Sequence, residues 1–387
     1  MKYAAAACAG EILRGAEEMS FARVSTDSRQ AQPGDMFFAL KGERFDGHDF
    51  LNEVAAKGVA AVVVARSRLP EKLPPCALVA VADPRVALGK FAAAHRAEFT
   101  LPVIAVGGSN GKTTTKELIA AVLRPKLSTL WSEASFNNDI GVPLTLSRLD
   151  RTHQAAVVEV GTNHPGELAP LVKMVAPTLG VITNIGREHL EFFGDVAGVA
   201  QEEGALAELL PAAGILFASG DDVWTDRLAA RTRARVIRVG LGQDNDWRAE
   251  AVRFDRRGMV FGVTSPSSEW NGEYRINLLG RHQVVNALFA IAVGAELGLS
   301  RAEIQRGLGE CHPAKWRLQL WEANGVLVLD DSYNANADSM LAALQVLNEL
   351  PCKGRRLAVL GDMLELGATS AAAHAEVGRL AATWGVG

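Results

Sequence analysis

A short glycine-rich loop, set between an apolar run and a helical segment, constrains this chain more than any other feature. The run Val103–Val106 has the length and composition of a buried strand, and the segment 116–123 has the apolar spacing of a helix. Between them lies Gly108-Ser109-Asn110-Gly111-Lys112-Thr113-Thr114. Loop amides and the helix N-terminus would face an anion there, so this order of elements predicts a phosphate-binding site.

Lysine and threonine at the end of the loop fit the chemistry of a nucleoside triphosphate. Lys112 would bring a positive charge to the phosphates, and the Thr113 hydroxyl would be a ligand for Mg²⁺. The full pattern G-x-x-x-x-G-K-[ST] is incomplete, because Val106 stands where it requires glycine. A glycine turn followed by a solvated lysine is the alternative, but the strand before the loop and the helix after it favour triphosphate binding.

The composition is that of a globular protein with more than one domain. The 387 residues leave room for two or three domains, and 48% of them are hydrophobic and 22% charged. A net charge of −4 gives no basic surface for nucleic acid, and no apolar run is long enough to span a membrane. The four cysteines, scattered without C-x-x-C spacing, indicate reduced thiols in a cytoplasmic protein.

Residues 1–100 predict a small α/β domain. The predicted elements are strands at 36–39, 60–65 and 78–81 and helices at 49–57 and 84–99. The polar turns at 26–29 and 41–48 are typical loop sequences when they are taken alone.

Residues 101–312 alternate strands with helices, which predicts a mostly parallel sheet covered by helices. The predicted elements are strands at 103–106, 155–160, 179–183, 215–219 and 235–239, helices at 197–210 and 223–231, antiparallel strands within 247–279, a helix at 280–297 and a short helix capped by Ser300. Ligands in such folds bind beyond the carboxyl ends of strands. The glycine loop, Glu159, Asn184 and the pair Glu188-His189 all fall at such ends.

Residues 313–387 predict part of a third, Rossmann-like domain. Strands at 325–331 and 357–361 would alternate with helices capped by Asp338 and Ser370. This part is shorter than the usual domain of about 100–150 residues, so we expect a truncated C-terminal domain.

Polar residues at strand ends are candidates for metal and substrate sites. Glu159 would hold Mg²⁺ beside the glycine loop, although a polar strand end is the simpler alternative. His189 is either a metal ligand or a helix-end residue. The amides of Asn137 and Asn138 are either turn residues or contacts to phosphate or a substrate carboxylate. The run Asp330–Asn336 fits nucleoside recognition better than a capped turn, because it places Tyr333 among acids and amides.

Several motifs together resemble the Mur ligase family over essentially the whole chain. They are Gly108–Thr113, Asn137–Pro143, Glu159–Gly161, His189–Glu191, Gly280–Asn286, Asp330–Asn336 and Gly361–Gly367, together with Thr26–Arg29 and Ala39–His48. The motifs at Asp330–Asn336 and Gly361–Gly367 are similar to those of the member that adds D-alanyl-D-alanine.

The resemblance implies a three-domain Mur ligase architecture. Residues 1–100 would bind a UDP-sugar, residues 101–312 would bind ATP and Mg²⁺, and residues 313–387 would bind an incoming amine. The implied reaction belongs to peptidoglycan synthesis, and hence to cell-wall growth, cell shape and division. ATP would activate the terminal carboxylate of a UDP-N-acetylmuramoyl tripeptide as an acyl phosphate, and the amino group of D-alanyl-D-alanine would then attack it. Such a reaction needs positive charge at the transferred phosphoryl group.

Residue roles follow from the same motif match. Lys112, with Mg²⁺ on Thr113 and Glu159, would stabilise the transferred phosphoryl group, and His189 would hold a second Mg²⁺. The adenosine part of ATP would contact Asn286, Arg317 and Asp331. The uridine end of the UDP-sugar would lie near Asp27, Ser28, Arg29 and His48.

Glu203 departs from the family pattern. Many members carry a carbamylated lysine on the helix after the His-Leu-Glu motif, and Glu203 aligns with that lysine. A permanent carboxylate would supply the same charge. Because glutamate is shorter, we expect a bridging water or a shift of the helix to complete the contact.

Two other functions remain open. One is a related ligase that adds a different amino acid, or glutamate to folate, which Tyr333 and the motif at Gly361–Gly367 disfavour. The other is a catalytically inactive protein that binds nucleotide and UDP-sugar. We expect a monomer that does not bind nucleic acid and does not insert into a membrane.

Overall fold

The computed structural model of the chain describes residues 1–255 and 257–387, which form two compact units. The first unit comprises Met1–Leu101, Phe136–Thr152 and Lys173–Ala176. The second comprises Pro102–Ser135, His153–Val172 and Pro177–Gly387.

The first unit is built on a five-stranded sheet. Its strands are β1 (Glu11–Arg14), β2 (Val24–Ser25), β3 (Met36–Phe38), β4 (Ala61–Ala65) and β5 (Ala77–Val81), and its first helices are α1 (Lys2–Ala7), α2 (Leu51–Ala56) and α3 (Pro84–Arg96). The order in the sheet is β1-β5-β4-β3-β2, with β2 to β5 parallel and β1 antiparallel to β5. Strands β3, β4 and β5 are buried throughout and match the predicted strands, whereas β1 and β2 were not predicted because they are short and less buried.

The second unit contains a nine-stranded sheet. Its strands are β6 (Val103–Gly107), β7 (Thr129–Trp131), β8 (Ala155–Glu159), β9 (Leu179–Ile182), β10 (Ile215–Ser219), β11 (Arg235–Gly240), β12 (Trp247–Asp255), β13 (Gly258–Thr264) and β14 (Gly272–Ile276). The order is β14-β13-β12-β11-β10-β9-β6-β8-β7. Strands from β7 to β12 pair in parallel, and β12, β13 and β14 pair antiparallel. The predicted α/β fold with a parallel central sheet is therefore confirmed.

Helices also follow α3 along the chain. Helix α5 (Gly141–Leu146) belongs to the first unit, and α6 (Leu168–Val175) is divided between the two units. Those of the second unit are α4 (Lys112–Leu123), α7 (Leu190–Phe193), α8 (Val196–Glu208), α9 (Thr225–Ala229), α10 (Arg281–Glu296) and α11 (Arg301–Glu310). Helix α10 packs against α4, and most side chains of both helices are buried. A helix that is apolar on all sides lies inside a protein, so the core fixes the position of α4 behind the glycine loop.

The last part of the second unit is a hairpin with two helices. Strand β15 (Gln319–Ala323) pairs antiparallel with β16 (Val326–Asp330), and α12 (Ala337–Glu349) and α13 (Ser370–Thr383) follow. Short 3₁₀ helices lie at Gly47–Phe50, Arg66–Arg68, Ser268–Trp270 and Gly367–Thr369.

Three predictions in this part were wrong. Residues 357–361 are not a strand, because no neighbouring strand pairs with them among the described residues, and Val359 is fully exposed. Asn336, not Asp338, caps α12 with its side chain. Helix α13 begins at Ser370 itself, after a 3₁₀ turn, and has no side-chain cap.

Candidate nucleotide-binding site

Three neighbouring parallel strands deliver their carboxyl ends to one edge of the large sheet. Strand β6 lies between β8 and β9, with Val106 paired to Glu159 and Gly107 paired to Ile182. The glycine loop, Glu159 and the segment that follows β9 therefore lie side by side, as expected for parallel strands.

Two glycines allow the loop to take its shape. Gly108 and Gly111 both have left-handed backbones, with φ of 105° and 82°. A Cβ at Gly108 would lie 2.4 Å from the hydroxyl of Thr183, and one at Gly111 would lie 2.8 Å from the side-chain oxygen of Asn286. The close approach at Gly111 places Asn286, predicted to contact adenosine, directly against the loop.

The segment after β9 holds the loop through hydrogen bonds. The amide of Ser109 donates to the carbonyl of Asn184 at 2.8 Å, and the amide of Asn110 donates to its side-chain oxygen at 3.1 Å. The Thr183 hydroxyl donates to the carbonyl of Asn110 at 2.6 Å, and the amide of Gly186 donates to the Ser109 hydroxyl at 2.8 Å. The sequence placed Asn184 at a strand end but did not assign it this role.

Lys112 lies in a negatively charged environment. Its ammonium donates to loop carbonyls and, at 3.2 Å, to a carboxylate oxygen of Glu188. Burial lowers the pKa of Lys112, but the charges of Glu188, Glu203 and Glu159 outweigh burial and raise its pKa above the ordinary value. The lysine is therefore firmly cationic, as phosphate binding requires.

Glu203 is completely buried on α8 beneath the loop. One of its carboxylate oxygens accepts the amide of Gly108 at 2.7 Å. Burial raises the pKa of Glu203 to about 8, although the charge of Lys112 lowers it. The second carboxylate oxygen of Glu203 and one of Glu188 are buried without a hydrogen-bond partner within the described part of the chain. Buried polar atoms require a partner, and a bound cation would favour the ionised form of both carboxyl groups, so this donor set fits a divalent cation.

The predicted metal ligands are brought together only in part. The Thr113 hydroxyl donates to Glu159 at 3.2 Å and accepts from the guanidinium of Arg317 at 3.2 Å. The Nδ1 atom of His189 lies against the carboxylate of Glu365. Within residues 1–255 and 257–387, no group of three or more His, Cys, Asp or Glu side chains is arranged to hold a metal ion. The metal set stays a prediction.

The other predicted adenosine residues lie near the loop. The guanidinium of Arg317 lies 4.3 Å from the ring centre of Tyr333, and Asp331 accepts the amide of Leu318 at 3.1 Å. Burial raises the pKa of Asp331 to about 6. Asn286, which lies against the loop, donates to Gln283 at 2.8 Å.

A fully buried lysine was missed by the sequence analysis. Lys116, on α4, donates to Glu117 at 2.6 Å and to the carbonyls of Ser132 and Ala134 at 2.8 Å and 2.7 Å. It supports the segment after β7. The only indication of Lys116 in the sequence was that it lies one helical turn after Lys112.

The residues predicted to bind the UDP-sugar all lie in the first unit, after two neighbouring parallel strands. Asp27, Ser28 and Arg29 follow β2, and His48 follows β3. Arg29 donates to Asp27 at 2.8 Å, and the carbonyl of Ser28 accepts from Lys57 at 2.6 Å. The role of these residues stays a prediction.

The ring of His48 is held by its neighbours. Its Nδ1 atom lies 2.6 Å from Asp46, and its Nε2 atom accepts the amide of Ala65 at 2.9 Å. Contact with a ligand through a ring nitrogen would therefore require one of these bonds to break.

Asn137 and Asn138 also lie in the first unit. The side-chain oxygen of Asn138 accepts the amides of Ile140 and Gly141 at 3.1 Å and 2.9 Å. This is turn chemistry at the start of α5, one of the two alternatives that the sequence left open.

A parallel sheet with a glycine loop, a partly buried lysine and a carboxylate at the neighbouring strand end defines a P-loop nucleotide-binding protein. Family models identify which kind. The Mur ligase middle domain matches residues 106–294, the glutamate ligase domain of Mur ligases matches residues 316–384, and the catalytic domain of the Mur ligase family matches residues 20–96. The chain belongs to the Mur ligase family.

Individual relatives are similar over most of the chain. The UDP-N-acetylmuramoyl-tripeptide–D-alanyl-D-alanine ligase of Escherichia coli (strain K12) is 40% identical, over 97% of this chain and 81% of the relative. A crystal structure of MurF from Acinetobacter baumannii superposes with a TM-score of 0.90 at 34% identity, covering 99% of this chain and 83% of that one. The structure of MurF ligase from Thermotoga maritima in complex with ADP gives a TM-score of 0.82 at 27% identity, over 93% and 82% of the two chains.

Proposed function

We propose that this chain uses ATP to join D-alanyl-D-alanine to a UDP-N-acetylmuramoyl tripeptide in peptidoglycan synthesis. The glycine loop, with the partly buried Lys112 at its end, is the observation that carries the nucleotide part of the proposal. The identity of 40% with the ligase of Escherichia coli supports the other two substrates.

The reaction runs in two steps that suit this site. The tripeptide carboxylate attacks the terminal phosphorus of ATP, which releases ADP and leaves an acyl phosphate. The amine of D-alanyl-D-alanine then attacks the acyl carbon, so a C–N bond forms, the C–O bond to phosphate breaks and the amine releases a proton. Loop amides and Lys112 hold the phosphates and stabilise the charge that develops on the transferred group.

Mg²⁺ is part of the proposal. Thr113 and Glu159 would hold one ion and His189 a second, and when bound they would neutralise phosphate charge and polarise the transferred phosphoryl group. The buried carboxylate oxygens of Glu188 and Glu203 without partners support a cation at this edge of the sheet.

Glu203 takes the place of the carbamylated lysine in this proposal. Its carboxylate already reaches the loop amide of Gly108 directly, at 2.7 Å. Replacing it by Glu203→Gln keeps the size and removes the carboxyl group that a bound cation would hold ionised, so we expect kcat to fall about 100-fold and the Mg²⁺ requirement to rise. Glu208→Gln, at the exposed end of the same helix, is the matched control. Unchanged activity and Mg²⁺ dependence in Glu203→Gln would refute this role.

Phosphate release tests the function directly. The full chain with ATP and Mg²⁺ should release phosphate continuously only when the UDP-sugar tripeptide and D-alanyl-D-alanine are both present. Lys112→Ala should abolish release, whereas Lys126→Ala, just beyond the same helix, should not. Release with a different amino acid in place of the dipeptide would favour a related ligase, and no release at all would favour an inactive binding protein.

We place the reaction in the cytoplasm, carried out by a monomer. The four cysteines are free thiols, as is usual in a cytoplasmic protein. Over the described residues, no helix has the length and apolar character needed to cross a membrane.

A further inference from the structure

A carboxylate from the C-terminal part of the second unit contacts the predicted metal-binding histidine. Glu365 belongs to the motif Gly361–Gly367, and its carboxylate lies against Nδ1 of His189. A second bond joins the same segments, because the amide of Glu191 donates to the carbonyl of Glu365 at 3.0 Å.

The backbone on both sides fixes this contact. His189 and Glu365 both have left-handed backbones, with φ of 48° and 59°, which is costly for residues other than glycine. Next to them, a Cβ at Gly367 would lie 3.1 Å from the Cα of Glu191, so the two segments approach closely. The histidine also begins α7, where its carbonyl accepts the amides of Phe192 and Phe193.

The contact determines which ring nitrogen is available for a ligand. A carboxylate at Nδ1 keeps the proton on that nitrogen and leaves the lone pair on Nε2, for which no hydrogen-bond partner is found in the described chain. Histidines that bind metals commonly donate their other N–H to a carboxylate, which orients the ring and strengthens it as a ligand. Mg²⁺ prefers oxygen ligands, so an imidazole ligand depends on such support.

We propose that Glu365 is a positioning residue, which orients and polarises His189 so that Nε2 binds the divalent ion of the nucleotide site. This rests on the role proposed above for His189. It also makes metal affinity depend on the C-terminal part of the chain. The nucleotide site would be complete only when the segment Gly361–Gly367 lies against α7, so ATP activation would be linked to the part of the chain that receives the amine.

The tautomer of His189 gives the first test. Nitrogen NMR of the histidine-labelled full chain without metal, with the His189 signals assigned by their loss in His189→Asn, reports which ring nitrogen carries the proton. We expect the proton on Nδ1 in the unaltered chain and a shift toward Nε2 in Glu365→Ala. The same tautomer in both proteins would overturn the proposal.

Metal affinity gives the second test. Mn²⁺ binding in the presence of a non-hydrolysable ATP analogue should weaken about 10- to 100-fold in Glu365→Ala. Glu365→Gln keeps a hydrogen-bond acceptor without the charge, so we expect the Nδ1 proton to remain and Mn²⁺ affinity to fall less. Glu376→Gln is the control, because it removes the ion pair with Arg187 from the same C-terminal part without touching His189. A loss of Mn²⁺ affinity in Glu376→Gln equal to that in Glu365→Ala would show a merely structural effect and overturn the proposal.

These measurements separate this inference from the proposed function. Tautomer and Mn²⁺ affinity are measured without the UDP-sugar tripeptide or the dipeptide, so they stand even if the chain joins other substrates. Equal Mn²⁺ affinity in His189→Asn and the unaltered chain would overturn the inference and the metal role of His189, but not the proposed joining of the two substrates.

Discussion

At the scale of single residues, the nucleotide site contains more acidic than basic side chains. Three buried carboxylates, Glu159, Glu188 and Glu203, act on one ammonium, that of Lys112. Taking a charge out of water costs several kcal/mol unless partners compensate for it. We therefore expect the site to bind further positive charge, as the role proposed for Glu203 requires.

The conformation of Gly108 can be tested with alanine. Gly108→Ala places a methyl group 2.4 Å from the Thr183 hydroxyl on a left-handed backbone, so the loop must shift and ATP-analogue affinity should fall at least about 100-fold. Gly166 has a similar φ of 90° and open space around its Cβ position. Gly166→Ala should therefore cost only about 1 kcal/mol of stability and leave affinity unchanged. Equal affinities of the two variants for the ATP analogue, measured by calorimetric titration, would contradict this prediction.

The raised pKa of Asp331 predicts a pH-dependent stability. Burial raises this pKa to about 6 from the ordinary 3.8, so the folded chain holds the proton more tightly than the unfolded chain. Stability should therefore fall as pH rises between these values, by at most about 3 kcal/mol. Asp331→Asn keeps an acceptor for Leu318 and removes the titration. Urea unfolding without nucleotide at pH 4 and pH 7 should show a smaller loss in the variant, and equal losses would contradict the assignment.

The site residues that could be predicted from the sequence lie in motifs whose residues are adjacent along the chain. The segment Gly108–Thr114 carries its glycines, lysine and threonine in a single run, and Glu159 follows a continuous apolar strand. Asn184 and Lys116 were missed as functional supports because their partners lie elsewhere in the chain, on the loop and beyond β7. Only the fold brings such pairs together.

At the scale of elements, the local sequence predicts the helices, but tertiary contacts determine which residue caps α12. Asn336 and Asp338 are both good capping residues before α12. Asp338 instead accepts the backbone and guanidinium N–H groups of Arg187, at 2.8 Å each, so Asn336 becomes the cap. The run 357–361 was wrongly predicted as a strand for a similar reason. An apolar segment forms a strand only when a neighbouring strand pairs with it.

Two helix caps form a matched pair for a further test. Asn336 caps α12 and also donates to the side chain of Asn110 in the glycine loop at 2.8 Å, whereas Ser300 caps α11 through a capping box. Asn336→Ala and Ser300→Ala should each lose about 1 kcal/mol of unfolding free energy. Only Asn336→Ala should also weaken ATP-analogue binding, which calorimetry would show. Equal affinities in the two variants would mean that the contact with Asn110 does not support the loop.

At the scale of the whole molecule, one short segment of the second unit contacts both the glycine loop and the C-terminal part of the chain. Between β9 and α7, Asn184 and Gly186 hold the glycine loop, and Arg187 and His189 contact the C-terminal part. Because these residues lie in a single stretch, we expect nucleotide binding and docking of the C-terminal helices to be linked. Sequence indicated the segment through His189 but gave no sign of this double role, because Arg187 belongs to none of the motifs.

Arg187 is the place to test this link. Its guanidinium pairs with Asp338 on α12 at 2.7 Å and with Glu376 on α13 at 2.6 Å, and all three side chains are partly exposed. Arg187→Met keeps the bulk and removes both ion pairs, so hydrogen exchange in α12 and α13 should quicken while strands β6, β8 and β9 keep their protection. Salt should reproduce part of the effect in the unaltered chain, because screening weakens exposed pairs. Arg235→Met, which removes an exposed ion pair with Glu296 on α10, is the control and should leave α12 and α13 unchanged. If α12 and α13 exchange at the same rate in Arg187→Met and the unaltered chain, docking of the C-terminal helices does not depend on the ion pairs of Arg187.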